Sequence, residues 1–113
     1  MRMESKIIAA TIDDNLLLSG IGRARKVAII EVKEGKIAKI EEFEVKWDEA
    51  HEKEEEGLHH ANVAKFLRSH NVTDIIAFGA GPDMRHMVER LGIRLHFSSG
   101  DYREAIKRLV ESS

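Results

Sequence analysis

The chain has 113 residues, a formal net charge of −2, one proline and no cysteine. This length suits a single domain over residues 1–113. The lack of cysteine excludes disulfides, cysteine-ligated zinc or iron–sulfur centres and a thiol nucleophile. The near-neutral charge argues against a nucleic-acid binder, and neither a membrane span nor a signal peptide is apparent. We therefore expect a cytoplasmic protein that binds neither nucleic acid nor a membrane.

Charged residues make up 34% of the chain, and glutamine is absent as well as cysteine. A high charge content with few thermolabile side chains is typical of proteins from hot environments. The composition therefore predicts a melting temperature above about 60 °C.

The first half of the chain has the pattern of three strands. The apolar run 5–12 does not alternate, which is typical of a strand buried on both faces at the centre of a sheet. A second strand is predicted over 26–33, and the Glu-Gly pair at 34–35 indicates a tight hairpin. A third strand follows over 36–47, where a change of apolar phase indicates a bulge near residues 38–40.

The second half alternates helices with strands. Residues 48–57 carry six carboxylates and no large apolar side chain, so we predict a solvated, mobile loop there. Helical periodicity and end signals then predict a helix over 58–70, a strand over 74–78, a helix over 82–91, a strand over 93–97 and a helix from Asp101 onward. In the last strand His96 alternates with Leu95 and is predicted to be plain surface.

This order of elements predicts an α/β fold in three layers, α/β/α, with a mixed five-stranded sheet and three helices. Right-handed crossovers would place the last two strands parallel to strand one.

Two glycine turns are expected at the carboxyl edge of this sheet, where open α/β sheets bind ligands. Gly79-Ala80-Gly81-Pro82 opens a helix whose amide groups and dipole suit an anion, although it matches neither a Walker loop nor a dinucleotide fingerprint. Gly20-Ile21-Gly22-Arg23-Ala24-Arg25-Lys26 places three cations within four residues, and the arginine fork suits carboxylate or phosphate oxygens. Together the turns predict an anion pocket. Alternatively, the first is a packing turn and the second a solvated surface.

His59 and His60 are the histidines that most suggest a metal site. They stand at the start of a predicted helix beside the acidic loop, whose carboxylates would complete the ligand set. Adjacent histidines point about 100° apart on a helix, so both face one ion only where the segment is not helical. The alternative is that both are structural.

Catalytic groups are scarce. Asp13, Asp14 and Glu31 are candidates for a two-metal nuclease, but the apolar run 7–10 leaves no acid in the middle of strand one. Ser98-Ser99 lacks the context of a nucleophile elbow. We therefore predict that the protein is not an enzyme, with a nuclease as the least favoured alternative.

Six short motifs follow one another along nearly the whole chain, namely Ala10-Thr11, Gly22-Arg23-Ala24, the apolar strand 27–32, Gly79-Ala80-Gly81-Pro82, Leu91-Gly92-Ile93 and Glu104-Ala105. Their order resembles the dinitrogenase iron–molybdenum cofactor biosynthesis family, which consists of small domains with a ribonuclease H-like fold. The resemblance implies a non-catalytic domain that transiently binds or carries an iron–molybdenum cofactor or a related iron–sulfur cluster.

The resemblance also implies the residues of the site. Gly22, Arg23 and Ala24 match the cluster-facing loop of the family, and Gly79 and Gly81 would complete the anion cradle. Family members carry a His-Phe pair where this chain has Gly20-Ile21. We hypothesise that His59 or His60 replaces the missing ligand.

The partner implied is a protein that donates or accepts the cluster, and we expect a monomer or a weak homo-oligomer. An alternative function is a protein–protein interaction module that has kept the fold and lost the cluster. Gly20-Ile21 in place of the histidine pair favours that alternative.

Overall fold

The computed structural model describes residues 5–53 and 56–112. Within these ranges the chain forms five strands, four α-helices and a short 3-10 turn at Ile21–Arg23. In chain order the strands and α-helices are β1 (Ser5–Ile12), β2 (Lys26–Lys33), β3 (Lys36–Glu44), α1 (Trp47–Lys53), α2 (Glu56–Ser69), β4 (Asp74–Ala77), α3 (Pro82–Arg90), β5 (Arg94–Phe97) and α4 (Tyr102–Glu111).

The five strands form one mixed sheet in the order β3-β2-β1-β4-β5. β1 lies at the centre, as its unbroken apolar run predicts. It pairs with β2 antiparallel and with β4 parallel, and β5 continues the parallel half. The predicted mixed sheet is therefore confirmed, and its parallel half ends at an edge where ligands commonly bind.

Helices cover both faces of the sheet, so the three-layer α/β/α class is confirmed. On one face, α1, α2 and α3 bury side chains that include Trp47, Val63 and Val88 against the sheet. On the other face α4 packs through Tyr102 and Ile106. The described residues form four α-helices where three were predicted, because α1 lies in the segment expected to be a loop.

The predicted loop over 48–57 is wrong for the residues that the structure describes. α1 spans Trp47–Lys53 and α2 begins at Glu56, while residues 54–55 lie outside the described ranges. α1 forms because Trp47 is buried in an edge-to-face contact with Phe66. The acids Asp48 and Glu49 suit the positive end of the helix dipole and pair with Arg25.

The β2–β3 hairpin has the predicted turn and bulge. Glu34 and Gly35 both adopt positive φ, 53° and 76°, as a tight two-residue hairpin turn requires. Glu31 pairs with Lys39 but Val32 pairs with Ile37, so Ala38 is the extra residue of a bulge. β3 ends at Glu44, three residues before its predicted end.

The helix ends follow the predicted signals. Pro82 occupies the first turn of α3, and Gly92 follows its end with a φ of 77°. The Asp101 carboxylate accepts hydrogen bonds from the amides of Arg103 and Glu104 at the start of α4. None of the helices in the described ranges is long and apolar enough to cross a membrane.

Candidate functional site

The two glycine turns meet directly through their backbones. Gly20 and Gly79 form an isolated parallel bridge. The Ile21 amide donates to the Gly79 carbonyl at 3.0 Å, and the Phe78 amide donates to the Ser19 carbonyl at 2.9 Å. Because these residues follow β1 and β4, the junction extends the parallel half of the sheet beyond its carboxyl edge.

A cavity of about 690 Å³ opens over this junction, which is within the usual size of a small-ligand site. Six of the seven predicted site residues line it, namely Gly22, Arg23, His59, His60, Gly79 and Gly81. Its walls also include Phe78, Asp83 and Met84, which belong to none of the predicted site motifs. Their position next to the Gly79–Pro82 turn was the signal that could have identified them.

Ala24 is the predicted site residue that does not line the cavity. Its side chain is fully buried in the core beneath α1. Its carbonyl accepts the amides of Trp47, at 2.8 Å, and Asp48, at 3.2 Å. The Ala24 carbonyl therefore anchors the start of α1.

Of the three clustered cations, Arg23 is the one that lines the cavity. Arg25 is held elsewhere by the carboxylates of Glu49 at 2.6 Å, Asp48 at 3.5 Å and Asp14 at 3.9 Å. The hydrogen bond that the Arg25 guanidinium donates to Glu49 is the main cause that raises the pKa of Arg25. Arg23 is exposed, and it lies at the cavity wall.

The two adjacent histidines take different positions because both lie inside α2. His59 is 2% exposed, and its Nε2 lies 2.9 Å from the Gly22 carbonyl. Since a carbonyl can only accept, Nε2 carries the proton and donates. His60 is half-buried at the cavity wall, with its ring centroid 6.1 Å from that of His59. His59 therefore fastens the 3-10 turn that carries Arg23, and His60 is the more accessible ring.

Met84 and His59 pack closely against Gly22. A Cβ at this position would lie 3.2 Å from Met84 Cε and 3.3 Å from His59 Nε2. Both neighbours would have to shift by a few tenths of an ångström to admit a side chain at position 22. Glycine at position 22 thus allows His59 to approach the turn.

The N-terminus of α3, where the helix dipole has its positive end, lies at the cavity wall. The N-cap residue Gly81 has no side chain that could cap the helix, and the first helical hydrogen bond runs from the Arg85 amide to the Gly81 carbonyl. The amides of Asp83 and Met84 precede that bond and have no intrahelical partner. Together with Arg23, they favour an anion over a cation.

The structure contains no prebuilt metal site among residues 5–53 and 56–112. No group of three or more histidines or carboxylates in this part of the chain is placed to hold a metal ion. Two of the three candidate nuclease acids, Asp13 and Asp14, make local contacts. Asp13 accepts the amides of Asn15 and Leu17, and Asp14 pairs with Arg25.

His96 is not plain surface, so that prediction is wrong. Its Nε2 lies 2.9 Å from Oδ2 of Asp74, which is 3% exposed and also accepts the Thr73 hydroxyl at 2.7 Å. Burial raises the pKa of Asp74, but the hydrogen bonds from His96 and Thr73, with Arg94 nearby, outweigh burial and lower it. A buried acid needs such partners. Asp74 at the start of the apolar strand β4 was therefore the signal in the sequence that a polar partner lies nearby. This cluster does not line the cavity.

Comparison with known proteins gives one family match. A model described as dinitrogenase iron–molybdenum cofactor matches residues 3–112. A search of curated proteins finds no match.

Solved structures with the same fold span nearly the whole chain. PH0822 superposes with a TM-score of 0.77 at 20% identity, covering 95% of this chain and 90% of its own. A candidate dinitrogenase of Methanocaldococcus jannaschii, MJ0327, gives 0.72 at 13% identity over 96% and 91%. A candidate NifB protein of Thermotoga, TM1290, gives 0.70 at 22% identity over 94% and 88%. At these identities the likeness establishes the fold alone.

Proposed function

Because the chain belongs to the dinitrogenase iron–molybdenum cofactor family, we propose that its cavity binds an anionic metal cluster as cargo. The cargo is a cluster of the iron–molybdenum cofactor type or a related iron–sulfur cluster, and the protein carries it without catalysis between a donor and an acceptor protein. One observation carries this proposal. The Gly20–Gly79 junction gathers Arg23, His60 and the start of α3 around one cavity.

The chemistry of the cavity favours transient binding over permanent ligation. The chain has no cysteine, so thiolates cannot hold the cluster. Arg23 and the amides of Asp83 and Met84 offer charge and hydrogen bonds to an anion, and such contacts at an open surface are weakened by water and salt. The Asp83 carboxylate in the same wall opposes an anion and weakens binding further. Weak binding suits a protein that hands its cargo on.

His59 and His60 have different roles in this proposal. His60 is the side chain that can offer a ring nitrogen to a metal of the cluster. His59 is a positioning residue, because its Nε2 proton is committed to the Gly22 carbonyl at 2.9 Å. Loss of His59 would release the turn that carries Arg23 without removing a ligand.

A protein–protein interaction module is the second candidate function. Gly20 has no side chain, and Ile21 is fully buried. The segment that carries a histidine in relatives therefore offers no ligand to the cavity here. Phe78 is 64% exposed at the cavity wall, and an exposed aromatic ring of this kind suits contact with another protein.

Loading under anaerobic conditions tests the first candidate. The purified protein is incubated with isolated iron–molybdenum cofactor and, separately, with a synthetic [4Fe–4S] cluster, and the cluster retained with the protein is separated from free cluster at equilibrium by ultrafiltration. Visible absorption and the iron and molybdenum contents report the bound cluster. The variants are Arg23→Ala, His60→Ala and His59→Ala. Arg90→Ala is the matched control, because Arg90 is an exposed arginine at the opposite end of α3.

We expect the wild type and Arg90→Ala to retain cluster equally, and Arg23→Ala and His60→Ala to lose most of it. His59→Ala is expected to bind less while keeping the spectrum of the wild-type complex, because its ligand is intact. Failure of the wild type to retain either cluster would reject the carrier function and leave the interaction module. Equal retention by all variants would place any bound cluster outside this cavity.

A further inference from the structure

β3 is an edge strand with an unusually open surface. In the order β3-β2-β1-β4-β5, no other strand of the described ranges lies on its outer side. Eight of its nine residues are exposed, and Phe43 alone is half-buried. Edge strands present N–H and C=O groups that readily pair with another strand, and nine residues is long for such an edge.

Two isoleucines make one side of this edge apolar. Ile37 is opposite Val32 and Ile40 is opposite Ile30 in β2, so both lie on the face that α4 covers. α4 leaves both of them 41% exposed, whereas their β2 neighbours are buried. A further strand beside β3 would cover them.

The charges along β3 are self-complementary about Ile40. Two lysines precede it and three glutamates follow it, in the segment Lys36-Ile37-Ala38-Lys39-Ile40-Glu41-Glu42-Phe43-Glu44. Lys39 and Glu41 lie opposite Glu31 and Ile29 of β2, so they share one face. Both are more than half exposed, and Lys39 Nζ lies 3.5 Å from Glu41 Oε1 within the chain.

We propose that β3 pairs with β3 of a second copy of this chain, antiparallel and centred on Ile40. In that register each Lys39 faces Glu41 of the other copy, and the two Ile40 side chains cover each other. Opposite charges directly across two strands stabilise the pair, and like charges destabilise it. A parallel pairing in register would set Lys39 against Lys39 and Glu41 against Glu41, so the charges select the antiparallel form.

The bulge at Ala38 interrupts the strand on one side of this centre. In the proposed register residues 42–44 of each copy come opposite the bulged segment 36–38 of the other, so the uninterrupted pairing spans residues 39–41 of both copies. No β3 residue lines the cavity at the glycine turns. Both cavities therefore stay open in the dimer, and the proposal is independent of cluster binding.

Charge reversal gives a test that misfolding cannot imitate. Lys39→Glu leaves two glutamates on this face of β3, and Glu41→Lys leaves two lysines. At positions 39 and 41 each variant alone meets only like charges in the proposed register, whereas a mixture of the two restores both opposite pairs. Lys65→Glu, an exposed charge reversal on α2, is the matched control. Circular dichroism verifies that each variant is folded.

Sedimentation velocity from about 10 µM to about 1 mM measures self-association. We expect the wild type and Lys65→Glu to form a dimer with the same dissociation constant. Each β3 variant alone should dimerise about tenfold more weakly or worse, and their equimolar mixture should regain a dimer near wild-type strength. A wild type that stays monomeric throughout, or a mixture that associates no better than its components, would overturn the proposal.

Discussion

Replacing Asp74 by asparagine is expected to lower the free energy of unfolding by about 2 kcal/mol at neutral pH. The Asp74 carboxylate is 3% exposed and accepts hydrogen bonds from Thr73, at 2.7 Å, and His96, at 2.9 Å. Asparagine keeps a carbonyl oxygen for the Thr73 hydroxyl, so one bond to a charged group is lost, and such bonds contribute about 1.5–3 kcal/mol. Arg94 adds little, because it is largely exposed and 3.7 Å away.

The pH dependence identifies the charge as the source of this stability. The pKa of Asp74 is lowered in the folded protein, from about 3.9 in an unfolded chain. A lowered folded pKa contributes stability that is fully present above the unfolded value and is lost as the pH falls through the folded value. The difference between wild type and Asp74→Asn should therefore stay constant from about pH 8 to about pH 5 and shrink below about pH 4.

Urea unfolding followed by circular dichroism at about pH 7, 5 and 3 measures this difference. Glu44→Gln is the control, because Glu44 is exposed at the end of β3 and its neutralisation should have a small effect at each pH. If Asp74→Asn were as stable as the wild type at pH 7, or if the gap were unchanged at pH 3, the carboxylate would not be the stabilising group.

Further stability predictions follow from other contacts. Tyr102→Phe should cost about 1–2 kcal/mol in urea unfolding, because the Tyr102 hydroxyl donates to Glu42 at 2.6 Å; a neutral outcome would mean that water replaces this bond without loss. Val63→Ala should lower the free energy of unfolding by about 2 kcal/mol, since Val63 lies on the buried face of α2 and is fully buried in the core. A loss below about 0.5 kcal/mol would mean that the core closes around the missing methyl groups. Gly92→Ala should cost about 1 kcal/mol from its φ of 77° alone, because a Cβ there meets no atom within 4 Å; an unchanged unfolding midpoint would contradict that backbone argument. The composition predicts a thermal midpoint above about 60 °C, which calorimetry measures directly.

Local signals accounted for most of the fold. β1 and β2 have the bounds that their apolar runs predict, and Pro82, Gly92 and Asp101 mark helix ends in the expected way. These signals depend on the preferences of single residues and on the periodicity of neighbours. They can be interpreted without knowledge of the rest of the chain.

The predictions for α1 and His96 were wrong because contacts between distant segments decide both structures. The acidic segment forms α1 because Trp47 packs on Phe66 and Arg25 neutralises its first-turn acids. His96 looks like surface until β4 places Asp74 beside it. In both cases the deciding partner lies about 20 residues away in the chain, beyond the reach of periodicity.

The candidate site could also be predicted only in part. Strand order predicted that the two glycine turns would meet, because both follow strands that end at one edge of the sheet. Which residues of the basic turn face the cavity could not be predicted. Ala24 turns into the core and Arg25 turns toward α1 because of contacts with Trp47 and Glu49.

The bridge between Gly20 and Gly79 is made by main-chain atoms, so the base of the cavity does not depend on which side chains surround it. Substitutions at Arg23, His60 or Phe78 would change the walls of the cavity and leave this backbone frame in place. The architecture thus separates the part that must be preserved for folding from the part that is free to diversify. Proteins that share only about a fifth of their residues with this chain keep the same fold.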